Sequence, residues 1–205
     1  MAALRIAIFA SGQGTNFQTI ADAVREGKLD VTIELLVCDK PSAPVIQRAS
    51  QAGVDAFVFK PKDYPSREAY ESEILKELQD RQVDLVVLAG YMRILTPTLV
   101  EPYMGRMINI HPSLLPSFPG INAIGQALEH GVKVTGVTVH FVDGGLDSGP
   151  IIAQTAVPVT EEEDEAALTV RIQQAEKELY PEAIRLIAQG LVTIEGRRVA
   201  VGNSQ

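Results

Sequence analysis

The sequence predicts an α/β fold: a doubly wound, mostly parallel sheet with an antiparallel hairpin added in the C-terminal half. Three observations predict it. Short Val/Ile/Leu-rich runs alternate with helical stretches through the first half of the chain, the signature of a parallel sheet with right-handed crossovers. Hydrophobic residues make up 46% of the 205 while aromatics are 5% and Trp is absent, which fits an aliphatic core around strands buried on both faces. Finally, a glycine-dense turn at 143–150 separates two strand-like runs, as in a hairpin. The length suits one domain, 1–205.

Residues 4–10 read as a buried first strand, followed by Ser11-Gly12-Gln13-Gly14-Thr15-Asn16 and a helix from about Phe17 to Arg25. Strand, glycine turn and helix is the arrangement in which amides at a helix N-terminus hold an anion, with Thr15 or Asn16 as the cap. A Walker loop would need Lys and Ser/Thr after the last glycine. A dinucleotide fingerprint would want a small residue where Phe17 stands, although Asp39 beyond the next strand suits it. A single phosphate fits better than either, and an ordinary tight turn is the bland alternative. Strands are expected over 31–38, 55–59 and 85–89, and helices over 43–52 (closed by Gly53) and about 66–79. Met92, Ile94 and Leu95, in the turn after the 85–89 strand, line an apolar pocket or form ordinary core; the sequence leaves both open.

Met107 to His111 reads as a strand. Residues two apart on a strand share a face, so Asn109 and His111 project together at its carboxyl end, where open α/β sheets place ligands. Pro112, Pro116 and Pro119 then rule out strand or long helix and make a stiff loop over the pair. A short helix over 123–129 follows, with His130 in its last turn as a dipole partner. Strands over 134–142, which contains His140, and 151–157 form the hairpin. Glu161 to Glu165 is expected to open a long helix, with Gln173, Glu176 and Tyr180 on one face and Pro181 disturbing it. A terminal hairpin turns at Glu195-Gly196.

Composition excludes several function classes. A formal charge of −8 with 18 scattered Lys and Arg disfavours nucleic acid as the main partner. No run is long and apolar enough to span a bilayer. The apolar run near the N-terminus, broken by Arg5, is a strand rather than a signal peptide. The one cysteine, Cys38, reads as a small core residue and suits a reducing cytoplasm. Three separated His and one Cys argue against zinc, and the Asp143/Asp147 spacing lacks the EF-hand alternation, so no metal is expected.

Asn109, His111 and a carboxylate from the 143–147 loop suit acyl transfer between amines. Asn donates to a developing oxyanion, His moves protons near neutral pH, and an Asp beside it orients the ring and favours its charged form. Ser113 and Ser117 lack the Gly-x-Ser-x-Gly elbow of a hydrolase.

Four stretches carry a resemblance: Ser11-Gly-Gln-Gly-Thr-Asn16, Leu88-Ala-Gly-Tyr-Met-Arg-Ile-Leu95, Asn109-Ile-His-Pro-Ser-Leu-Leu-Pro116, and Gly136-Val-Thr-Val-His-Phe-Val142 continued by Asp147-Ser-Gly-Pro150. In this order they resemble the phosphoribosylglycinamide formyltransferase family over nearly the whole chain. The resemblance implies the formyltransferase fold, with a nucleotide-binding half over about 1–100 and a folate and catalytic half over about 101–205. It implies transfer of the formyl group of 10-formyltetrahydrofolate to the glycyl amine of phosphoribosylglycinamide, in the cytoplasm, on small molecules without nucleic acid, membrane or metal, and it leaves a homodimer open. It implies His111, Asn109 and Asp147 as the catalytic set; Gly14, Thr15, Asn16, Phe17, Gln173 and Glu176 on the ribonucleotide; and Arg67, Met92, Arg93, Ile94, Leu95, Asn109, Asp143 and Leu146 on the folate. The departures lie at Asp143-Gly144-Gly145, Ser148 and Ser117-Phe118. Formylation of methionyl-tRNA would want a basic surface and an added domain, hydrolysis of formyltetrahydrofolate a regulatory domain ahead of the core, and a non-catalytic nucleotide sensor would leave Asn109, His111 and Asp147 incidental.

Overall fold

The computed structural model describes residues 3–202, which gather into two compact units divided between Ile108 and Asn109. The first unit holds strands Leu4–Phe9 (β1), Val31–Cys38 (β2), Ala56–Val58 (β3) and Leu85–Leu88 (β4), with helices Thr15–Arg25 (α1), Val45–Gln51 (α2), Arg67–Asp80 (α3) and Pro97–Val100 (α4). β1 pairs in parallel with both β2 and β4, and β2 with β3. The first three strands step outward one way and β4 lies on the other side of β1. The turns after β1 and β4 therefore flank a topological switch point, where such sheets open a crevice for ligands. Ile6 to Phe9 and all of β4 are buried, so these strands are continuous apolar runs rather than alternating ones.

Helix α1 buries Phe17, Ile20 and Ala21, the i, i+3, i+4 stripe of an amphipathic helix. Its cap differs from expectation. Gly14 holds the N-cap position in the left-handed region, with no side-chain cap, and Thr15 and Asn16 lie in the first turn. The physical reason is close packing: a β-carbon on Gly14 would stand 2.4 Å from Val45 Cγ2. α3 starts as read, with the Ser66 hydroxyl accepting the Ala69 amide at 3.1 Å. Its buried face includes a carboxylate, Glu71, which accepts the Thr96 amide at 3.0 Å and the Thr96 hydroxyl. Burial pushes the Glu71 carboxyl up, against the pull of those hydrogen bonds. Two short elements lie where the sequence reading placed none: a 3-10 turn over Pro61–Asp63 and α4. Thr96 caps α4 and Pro97 takes its first position, a pair of helix-start signals compressed into a helix too short to show periodicity.

Met107–His111 (β5) crosses from one unit into the other. The second unit continues with Ala123–Glu129 (α5), Val134–Phe141 (β6), Ile151–Pro158 (β7), Glu165–Ala188 (α6), Val192–Glu195 (β8) and Arg198–Val201 (β9). β6 and β7 are the expected antiparallel pair, and their register slips between Val139 and His140, the kind of irregularity that re-aims a side chain beside a site. β8 and β9 form the separate terminal hairpin. The main sheet has seven strands in the order β3-β2-β1-β4-β5-β6-β7, doubly wound and mostly parallel as the sequence predicts.

Two details of α6 depart from expectation. It begins at Glu165, capped by Asp164, whose carboxylate accepts the Ala167 amide at 2.8 Å. Residues 161–163 precede it, and Glu163 instead pairs with Arg171 at 2.9 Å and accepts the Thr160 amide. Pro181 also leaves the helix unbroken. The buried row Leu168, Ile172, Ala175, Tyr180, Ala183 and Ile184 runs across it, and packing of that row outweighs the lost hydrogen bond.

Candidate active site

In the second unit, β5 delivers Asn109 and His111 from the same face. His111 is buried, and its two ring nitrogens face two oxygens: Nε2 lies 2.8 Å from the Phe118 carbonyl and Nδ1 lies 3.5 Å from Asp147 Oδ2. Each ring nitrogen thus has an oxygen acceptor facing it. Phe118 and Asp147 both occupy the left-handed region, with φ of 52° and 49°. Non-glycine residues pay about 1 kcal/mol or more for that conformation; here it turns the Phe118 carbonyl and the Asp147 carboxylate onto one ring. Asp147 Oδ2 is fixed in turn by the Gly120 amide at 2.7 Å.

The proline loop is held from below. The Thr138 hydroxyl donates to the Ser113 carbonyl at 2.7 Å and accepts from the Leu115 amide and from Gln154 Nε2. The Ser113 hydroxyl donates to the Ser117 carbonyl at 2.6 Å. The buried Ser113 and Thr138 hydroxyls are thus both hydrogen-bonded and tie the loop to β6, which gives Ser113 a structural task rather than that of a nucleophile. His130 caps α5 and bonds the Gln126 carbonyl through Nδ1, in keeping with its reading as a helix-end partner.

Of the two carboxylates in the hairpin turn, only one faces the ring. Asp143 Oδ1 accepts the Gly145 amide at 2.9 Å and the Ser148 hydroxyl at 2.7 Å. Burial pushes the Asp143 carboxyl up, but those hydrogen bonds and nearby positive charge outweigh it and hold the group below the usual range. Asp143 thus organises the turn, while Leu146 stays exposed beside Gly120. On α6, Gln173 is exposed and Glu176 half-buried, three residues apart.

Within the first unit, the turns after β1 and β4 are tied together: the Ser11 amide donates to the Gly90 carbonyl, and Ser11 Oγ accepts the Met92 amide at 2.9 Å. The Phe17 ring is fully buried, which leaves its backbone as the part able to meet a ligand. The first intrahelical bond runs from the Gln18 amide to the Gly14 carbonyl at 2.9 Å, so the turn ends at the N-terminus of α1, where the helix dipole favours negative charge. After β4, Tyr91 is buried but Met92 and Ile94 are 68% and 70% exposed. Of the two readings left open for them, core is therefore excluded. Arg93 is occupied by the buried Asp39 carboxylate at 2.8 Å, and Arg67 reaches the Ile94 carbonyl at 3.5 Å. Asp39 is thus the anchor of this turn through its Oδ2.

A family profile described as formyl transferase matches residues 4–184. The chain belongs to the formyl transferase family. Among the relatives of this formyl transferase, phosphoribosylglycinamide formyltransferase of Bacillus subtilis is 48% identical over 181 residues, 88% of this chain and 93% of the relative. Among solved structures, glycinamide ribonucleotide transformylase 1 from Symbiobacterium toebii superposes with a TM-score of 0.96 at 49% identity, covering 98% of this chain and 95% of that one. A formyltetrahydrofolate deformylase from Pseudomonas syringae superposes at 0.91 with 28% identity, covering 98% of this chain and 66% of that one.

Asn109 and His111 are joined in this formyl transferase by a residue to which the sequence assigned no role. His140 Nδ1 bonds the Phe141 carbonyl at 2.8 Å, which leaves Nε2 as an acceptor 3.5 Å from Asn109 Nδ2 and 3.8 Å from Asp147 Oδ1. Only the pairing of distant strands places it there, so no local signal marks it. Burial holds the His140 imidazole below its ordinary range, against a raising pull from the Phe141 carbonyl and Asp147. The unfolded chain therefore binds this proton at a pH where the folded chain does not, and stability falls as pH drops through the window below about 6.5. The effect is at most about 1.4 kcal/mol per pH unit in that window. Urea midpoints at pH 7.5 and 5.5 are expected to differ less in His140→Gln than in the parent; an equal difference contradicts the assignment.

Among the described residues, no group of three His, Cys, Asp or Glu side chains is placed to hold a metal ion, and no helix is long and apolar enough to cross a membrane.

Proposed function

We propose that this formyltransferase moves the formyl group of 10-formyltetrahydrofolate to the glycyl amine of 5-phosphoribosylglycinamide, giving formylglycinamide ribonucleotide and tetrahydrofolate in de novo purine (IMP) biosynthesis. The observation that carries the reading is His111 set between the Phe118 carbonyl and Asp147, with Asn109 on the same strand face. The names of the relatives point to the same reaction. As the amine attacks the formyl carbon, negative charge develops on the carbonyl oxygen, and the Asn109 amide donates to it. His111 gives its proton to the departing folate nitrogen, and Asp147 keeps the ring oriented and its charge balanced. The attacking nitrogen gives up one proton, which replaces the one His111 passes to the folate nitrogen, so the site ends with its protons unchanged.

In this reading Gly14, Thr15, Asn16 and the Phe17 backbone take the ribonucleotide's phosphate, and Gln173 and Glu176 take its polar sugar and amide groups. Met92, Ile94, Leu95 and Leu146 offer apolar contact to the flat folate rings, while Arg67 meets the acidic tail. Arg93 and Asp143 act from behind, each already engaged by a neighbour. The partners are small molecules, and the compartment is the cytoplasm. The likeness to a deformylase supports a second reading, in which water replaces the amine as acceptor. Product analysis by mass separates donor and acceptor: the ribonucleotide is expected to gain one formyl group when 10-formyltetrahydrofolate is supplied. Free formate with an unmodified ribonucleotide would refute the proposal.

A further inference from the structure

Helix α2 lies against the glycine turn, and its role there is directional. In a trans peptide the carbonyl and the next N–H point opposite ways. The Gly12 carbonyl accepts the Val45 amide at 3.2 Å, and the Gln13 carbonyl accepts Arg48 Nε at 2.7 Å. Both donors belong to α2, three residues apart, close to one helical turn. With two successive carbonyls held toward α2, the N–H groups of Gln13 and Gly14 are turned to the far side. Two consecutive amides with one sense, at the start of α1, make a cradle for an anion. A side chain at Gly14 would collide with Val45, its β-carbon standing 2.4 Å from Val45 Cγ2, so the turn can lie this close to α2 only with glycine there.

Arg48 is central to this arrangement. Its Nη1 also reaches Gln18 Oε1 at 3.3 Å, so one guanidinium spans the turn and the first turns of α1. Among the described residues it forms no ion pair, and its positive charge stays available to the field at the turn. We infer that Arg48 is a positioning residue for the phosphate-binding turn, setting the direction of the Gln13 and Gly14 amides. The inference rests on the reading of that turn as the ribonucleotide's phosphate site.

The test compares Arg48→Met and Arg48→Lys with the parent enzyme. Arg48→Met is expected to raise KM for the ribonucleotide about tenfold, the loss of roughly one charged hydrogen bond, and to leave kcat and KM for the folate within about twofold. Arg48→Lys keeps the charge without the planar Nε donor and is expected to recover only part of the loss. Titration with ribose 5-phosphate, followed by calorimetry, reads the same weakening without turnover. An unchanged KM, a fall of kcat and both KM values together, or full recovery in Arg48→Lys would overturn the inference while the parent still used the ribonucleotide. A parent enzyme that neither bound ribose 5-phosphate nor needed the ribonucleotide would overturn the phosphate-site reading beneath it.

Discussion

His111→Ala is expected to lower kcat at least about 100-fold, the usual span of general acid–base catalysis, with both KM values changed far less. The ring sits where a proton can be carried between two acceptors, and no other described side chain shares both the Phe118 carbonyl and the Asp147 carboxylate. Asp147→Ala is expected to cost about as much, since it removes the charge beside the ring and releases the Gly120 amide. Asp147→Asn separates those effects, because its carbonyl oxygen can still accept from Gly120. If charge is what matters, Asn behaves like Ala; if orientation suffices, Asn recovers most of the activity. Residues acting as one unit are not additive, so the double variant His111→Ala/Asp147→Ala should be little worse than His111→Ala alone. Steady-state turnover checks all four. A loss below about tenfold for His111→Ala would remove it from the chemistry.

Gly14→Val is the second large effect. The residue has φ of 73°, and an added β-carbon would meet Val45 Cγ2 at 2.4 Å, with Val45 Cβ at 2.6 Å behind it. Left-handed strain and forced overpacking together cost about 2–5 kcal/mol, which for a chain of this size lowers Tm by roughly 5–15 °C. In the folded fraction, the displaced turn should raise KM for the ribonucleotide at least about 30-fold, beyond what losing one hydrogen bond explains. Gly12→Ala is the control for stability, because no atom lies within 4 Å of its added carbon. Thermal melts and substrate titrations on both variants decide the point; a Gly14→Val protein with parental Tm and KM contradicts the packing described.

The order of strands and helices was legible because each short run is either continuously apolar or carries its own punctuation, as Ser66 and Gly53 show. Asn109 and His111 were legible for a local reason, the two-residue repeat of a strand. Their carboxylate was not. Spacing alone admitted either Asp143 or Asp147, the resemblance favoured Asp147, and the structure separates them by what each touches: Asp143 closes its own turn while Asp147 faces His111. His140 was out of reach because its neighbours come from a distant strand and from a register slip. Met92 and Ile94 look in sequence like any core residues, and only their exposure tells them apart. Pro181 shows the opposite failure, a sound local rule overridden by packing along α6. The Gly14 cap likewise depends on Val45, thirty-odd residues away, and not on the hydroxyl and amide side chains that follow it.

The most direct test follows tetrahydrofolate release from 10-formyltetrahydrofolate with purified protein, with and without 5-phosphoribosylglycinamide. Release that requires the ribonucleotide is the predicted result. Equal release in its absence would contradict the transferase account and assign the site to hydrolysis.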